Sequence, residues 1–180
     1  MISKTPLANP VFKLMVSHLV EAVTELFAAY DVSVRLSSGS STLPISTEVS
    51  GVAIIGYAGE RVRGALIMVA TESTTRAWLA AIGVRDGEVA DTLGEFSNML
   101  LGRLKGRLLG EGFPILLATP TTASGVGLRL SLPPSQSTSL VFDGPDWSMG
   151  TRLDATFESG FVLVEGDRES PAQAGETILF

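Results

Sequence analysis

Residues 91–105 read Asp91-Thr-Leu-Gly94-Glu95-Phe-Ser-Asn98-Met-Leu-Leu-Gly102-Arg-Leu-Lys105, and their spacing decides the fold. At about 100° per residue, Val89, Leu93, Phe96, Leu100 and Leu104 fall on one side and form a core stripe. Asp91, Glu95, Asn98, Gly102 and Lys105 gather on the opposite side, within roughly a quarter of the circumference. The pattern predicts one long amphipathic helix from about Glu88 to Leu109, stopped at Gly110 and Gly112. Glu95 and Asn98 stand three residues apart, so their side chains are neighbours on the polar face. A helix that only needs to pack has no use for that pair. Gly94, Gly102 and Gly106 also lie inside the helix, near the same side, each about 1 kcal/mol less favourable there than alanine. Glycine on one face points to close approach by another element of the fold or by something from outside.

Outward from this helix, the chain reads as α+β. Asn9-Pro10 is a helix start, with asparagine as N-cap and proline in the first turn. Phe12, Met15, Val16, Leu19, Val23, Leu26, Phe27 and Tyr30 follow at helical spacing. Asp31–Leu36 alternates like a short strand, and Ser37–Pro44 is a loop. Glu48–Tyr57 and Arg61–Ala70 are apolar, β-branched runs joined by Ala58-Gly59-Glu60, which predicts an antiparallel hairpin. Thr71–Ile82 suggests a short helix closed by Gly83, and Asp86-Gly87 a turn. Ile115–Ala118, Val126–Leu132, Ser137–Phe142 and Thr151–Phe157 are candidate strands, with turns at Pro133-Pro134 and Asp143-Gly-Pro and one further run at Phe161–Val164. The order predicts an antiparallel or mixed sheet packed with the long helix and two further helices. Residues 1–165 form a single expected domain, and 166–180 an expected mobile tail.

Composition bounds the function. The chain has 180 residues, 45% of them hydrophobic and 18% charged, enough for one sizeable core. A net charge of −6 argues against a nucleic-acid surface. The absence of cysteine removes disulfides, thiol nucleophiles and thiolate metal sites. The opening MISKTPLANP lacks the apolar core of a signal peptide, and no apolar run is long enough to span a bilayer, so a cytoplasmic protein without membrane contact is expected. The lone histidine, His18, lies in the first helix; there is no G-x-S-x-G, P-loop or dinucleotide fingerprint. An amide both donates and accepts hydrogen bonds and can orient a water, and a carboxylate can pair with a lysine on an incoming partner.

The pattern of Asp91, Glu95, Asn98 and Pro120 resembles that of the CheC/CheX/FliY family of chemotaxis phosphatases. Gly94-Glu95-Phe-Ser-Asn98-Met99-Leu-Leu-Gly102 is similar to the family's G-E-x-x-N-M-x-x-G, and Pro120-Thr-Thr-Ala-Ser-Gly125 looks like its proline-to-glycine turn. The glycine-rich hairpin, with Gly51, Gly56, Gly59 and Gly64, has the family's look, and the likeness runs over roughly residues 8–158. The CheX branch fits best: asparagine occurs only at Asn9 and Asn98, and the comparable stretch of the first helix, Glu21-Ala-Val-Thr24, lacks the amide. The resemblance implies a CheX-like α+β fold and an aspartyl-phosphate phosphatase acting on the phosphorylated receiver domain of a CheY-like response regulator. Asn98 would orient the attacking water and Glu95 would pair with the receiver's lysine. Asp91, Gly94, Gly102, Lys105 and Pro120 would support the site or meet the partner. The protein would need no cofactor of its own, since the receiver carries the Mg²⁺, and a homodimer is expected. The alternative is a non-catalytic receiver-binding module or a dimeric scaffold of a signalling complex.

Overall fold

The computed structural model describes residues 9–38, 49–83, 89–128 and 136–158. Among these, three helices are α1 (Pro10–Ala28), α2 (Glu72–Ala81) and α3 (Val89–Gly110). The strands are β1 (Arg35–Leu36), β2 (Val49–Gly59), β3 (Val62–Thr71), β4 (Ile115–Leu117), β5 (Thr121–Val126), β6 (Gln136–Asp143) and β7 (Ser148–Phe157). All strand pairs are antiparallel, in the order β1-β6-β7-β3-β2-β4, with β5 sharing the outer edge of β2.

The sheet has two unlike faces because side chains alternate along each strand. Ala53, Ile55 and Tyr57 of β2, Leu66, Met68 and Ala70 of β3, and Met149, Leu153 and Ala155 of β7 join one core with the apolar stripes of all three helices. The alternate positions Val52, Ile67 and Val69 form a separate small cluster. The helices therefore cover one face, and α3 lies across β2 and β3 on that face.

The helix ends follow local chemistry. The Asn9 carboxamide oxygen accepts from the Val11 N–H at 2.9 Å, ahead of Pro10. The Thr71 hydroxyl caps α2 by accepting from the Thr74 N–H at 3.1 Å. Gly83, past the end of α2, takes φ +77°, a left-handed conformation that glycine adopts without steric cost. The hairpin of β2 and β3 forms as expected, with its bend at Glu60 and Arg61. Across it, Tyr57 pairs with Gly64, and the missing side chain lets the phenol reach the Asp154 carbonyl at 2.7 Å. A Cβ on Gly64 would lie 1.9 Å from that carbonyl oxygen. Burial, and next the Asp154 charge, push the Tyr57 hydroxyl above its ordinary pKa.

Three expectations shift. Asp31–Leu36 is strand only at Arg35–Leu36. Asp31 adopts φ 58°, and the Val32 N–H turns back to the Phe27 carbonyl at 3.1 Å, a six-residue closure of α1 that uses up the first half of the run. Pro120-Thr-Thr-Ala-Ser-Gly125 is not a turn: residues 121–126 are β5, paired from Val49↔Val126 to Ile54↔Thr121. Its Ser, Thr and Gly content reads locally as turn chemistry, but the free edge of β2 offers a ladder, and Pro120 stands just before it, where a missing N–H costs nothing. Of the strand expected at Val126–Leu132, the described residues keep Val126 as strand while Gly127 turns away at φ 65°, and residues 129–132 lie outside the described residues. Asp86-Gly87, Pro133-Pro134, Phe161–Val164 and the segment 166–180 lie outside the described residues.

Candidate functional site

Packing fixes how α3 is turned. Leu93, Leu100, Leu101, Leu104 and Leu108 are buried against the sheet and α1. Phe96 enters an aromatic cluster, stacked on Trp78 at 5.3 Å between ring centroids, with Phe27 at 5.7 Å and Tyr30 at 6.2 Å. Ser97 is fully buried, and its hydroxyl donates to the Gly94 carbonyl at 2.8 Å, which satisfies a group that would be costly to leave unpaired. The two residues between Glu95 and Asn98 therefore point inward. The val-to-leu stripe read from sequence is broader than expected, since Thr92 and Ser97 are buried with it; the side chain of Val89 is not among those described.

The consequence is on the other face. Asp91, Glu95, Asn98 and Gly102 are exposed along one line of the helix, with Lys105 half-buried at its continuation. Asp91 lies in the first turn, where negative charge suits the helix dipole. Among the described residues, no hydrogen bond or ion pair engages the side chain of Glu95 or Asn98. They are held only by their backbone, and that backbone is anchored by Phe96 and Ser97.

The glycines divide. Gly94 is buried, and a Cβ there would lie 3.1 Å from Thr122 Cγ2 on β5. At Gly102 and Gly106 a Cβ would meet nothing within 4 Å. Gly94 thus serves an approach inside the fold, while the other two leave open space along the helix, Gly102 one turn from Asn98. Pro120 is half-buried immediately before β5. Thr122 is the residue that sequence reading missed. Its only signal was its place in a segment read as a turn, and the strand pairing brings it under the helix.

On α1 a polar pair at the same spacing, Glu21 with Thr24, is used internally. Glu21 and Glu25 of α1 each accept from Arg107 of α3 at 2.5 Å, and the hydrogen bond with Glu25 raises the already high pKa of the guanidinium. The Thr24 hydroxyl donates to the Val20 carbonyl at 3.0 Å. His18 is packed in the same seam, with ring nitrogens 3.6 Å from Glu21 and 3.8 Å from Glu111. A groove of about 630 Å³ crosses β2, β3, β4 and β7, and neither Glu95 nor Asn98 lines it. Among the described residues, no cluster of three His, Cys, Asp or Glu is placed to hold a metal ion, and no helix is long and apolar enough to cross a membrane.

Comparisons with known proteins bear on the fold and the family. Among solved structures, the chemotaxis protein CheX from Vibrio vulnificus superposes with a TM-score of 0.65 at 21% identity, covering 79% of this chain and 99% of that one. A CheC-like superfamily protein from Shewanella gives 0.64 at 19%, covering 79% and 97%. The CheX-CheY-BeF3-Mg²⁺ complex from Borrelia burgdorferi gives 0.60 at 18%, covering 80% and 96%. These likenesses carry the α+β fold, with its seven-stranded antiparallel sheet and three helices. No curated protein matches the chain. The sequence profile described as chemotaxis phosphatase CheX matches residues 52–143, just over half of the chain and all of α3. The chain belongs to the CheX family of chemotaxis phosphatases.

Proposed function

We propose that this protein dephosphorylates the phospho-aspartate of a CheY-like receiver domain, with Asn98 orienting the hydrolytic water and Glu95 docking the partner. The observation that carries the reading is the pairing of exposure and rigidity. Glu95 and Asn98 are exposed on α3 with no side-chain partner among the described residues, while Phe96 and Ser97 between them are locked inside. Family membership and the CheX-CheY complex of a relative support the choice of partner.

The chemistry asks little of this chain beyond placement. Water attacks phosphorus, the bond from phosphorus to the aspartyl carboxyl oxygen breaks, and the products are a free carboxylate and inorganic phosphate. Such a transfer is accelerated chiefly by positioning and charge stabilisation. The Asn98 carboxamide oxygen accepts one hydrogen bond from the water and leaves its lone pair aimed at phosphorus. The Glu95 carboxylate pairs with the lysine of the receiver site and fixes the register of docking. Mg²⁺ belongs to the receiver, where it neutralises phosphoryl charge. Asp91, Gly102 and Lys105 continue the same face and lie where the receiver would seat, and Gly94 and Pro120 support it from within.

The second reading is a docking or scaffold module that binds the receiver without turnover. The test is the decay of a phosphorylated CheY-like receiver, with Mg²⁺ present, alone and with the wild type or Asn98→Ala. Faster decay with the wild type only, and equal receiver binding by both, is the expected result. Binding by both without any acceleration would replace the phosphatase by the docking module.

A further inference from the structure

Among the described residues Glu95 and Asn98 have no side-chain partner, so their aim depends on what sets the backbone at residues 94–98. On the inner side this is the Phe96 cluster. On the flank it is β5, which is laced to β2 over Val49↔Val126 to Ile54↔Thr121, with β2 in turn paired to β3. Thr122 pairs with Ala53, whose side chain belongs to the helix-facing core, so Thr122 projects toward α3. It reaches the helix at Gly94, the residue next to Glu95, where its Cγ2 stands 3.1 Å from the position of an absent Cβ. An ordinary contact begins at 3.4 Å. A methyl group there would require Thr122 or α3 to give by a few tenths of an ångström.

We propose that Thr122 is a positioning residue: its methyl, seated against Gly94, sets the distance of α3 from β5 and through it the aim of Glu95 and Asn98. The inference rests on the phosphatase reading for its functional consequence, though its geometry stands apart from it. It separates two roles for Gly94. If this glycine served only helix–strand packing, its replacement would act through stability. Alanine is the better helix former, so a positioning role shows itself as lost activity in a protein that is no less stable. Small misplacements of a reacting group carry large rate penalties.

The experiment compares wild type, Gly94→Ala, Thr122→Ser and the double variant. Thr122→Ser removes Cγ2 and keeps the hydroxyl, so it makes room for the new methyl. Receiver dephosphorylation by Gly94→Ala is expected to slow about tenfold with Tm equal to or above that of the wild type, and the double variant is expected to regain most of the rate. Backbone amide NMR shifts of Glu95–Asn98 should move in Gly94→Ala and return in the double variant. A Gly94→Ala protein with unmoved shifts and full activity would overturn the inference. So would a rate loss that tracks a fall in Tm, or one that Thr122→Ser leaves unrelieved. Shifts that move and return while the wild type hydrolyses nothing would sink the phosphatase reading and leave the positioning geometry standing.

Discussion

Helices α1 and α3 each carry a glutamate followed three residues later by a small polar residue, and the fold treats the two pairs oppositely. On α1, Glu21 is bound by Arg107 at 2.5 Å, and the Thr24 hydroxyl is turned back onto its own helix at 3.0 Å. On α3, Glu95 and Asn98 are exposed and, among the described residues, without a side-chain partner. The same spacing thus makes a structural clamp in one place and an outward-facing pair in the other. What separates them is the surroundings. Arg107 rises from α3 to meet α1, and the Glu21 carboxylate paired with its guanidinium has one oxygen already engaged within the fold. The lesson is that i, i+3 polar pairs acquire a function from what the fold leaves unpaired, not from the spacing itself.

The comparison breaks most severely at Phe96, which holds α3 in the orientation that exposes Glu95 and Asn98. Phe96→Ala should cost about 3–5 kcal/mol of stability, as large buried aromatics do when truncated, read by denaturant unfolding. A loss under 1 kcal/mol would mean that the cluster with Trp78, Phe27 and Tyr30 does not anchor the helix. Gly102→Ala sharpens the contrast on the exposed side. Open space lies above it, so helix propensity should raise stability by up to about 1 kcal/mol. Receiver dephosphorylation should nonetheless fall if the partner seats closely beside Asn98. Unchanged turnover in the more stable protein would show that the partner keeps its distance there. Arg107→Ala is the mildest. The pair is partly exposed, so roughly 0.2–1 kcal/mol should be lost, and the effect should shrink with added salt. Freeing Glu21 in this way should create no second site, because Thr24 offers no amide. A gain in receiver dephosphorylation by Arg107→Ala would contradict that.

Much of this was legible in the sequence, for physical reasons. The 3.6-residue period placed Leu93, Phe96, Leu100 and Leu104 inward and Asp91, Glu95 and Asn98 outward, because a long helix lying on a sheet cannot hide its stripe. The hairpin of β2 and β3 was legible because both strands are apolar and meet at a turn. The segment after Pro120 was not. A strand of Thr, Ala, Ser and Gly at an edge has no apolar alternation to announce it, and its pairing with β2 is a long-range choice that local propensity does not contain. Thr122 was hidden for that reason. So was the closure of α1, where Asp31 adopts a left-handed conformation that its type permits but does not require. The glycines were legible as a group and not one by one: composition marks the missing side chains, and only the fold says that Gly94 faces a strand while Gly102 and Gly106 face open space.

The central claim is that Asn98 performs hydrolysis and does not merely accompany docking. The most direct measurement is the first-order decay of a phosphorylated receiver at saturating amounts of this protein, wild type against Asn98→Ala, with bound receiver matched in the two arms. The account predicts rapid decay with the wild type and a rate lower by about 100-fold with the variant. Equal rates in the two arms would contradict it and leave Asn98 as an exposed residue without a catalytic role.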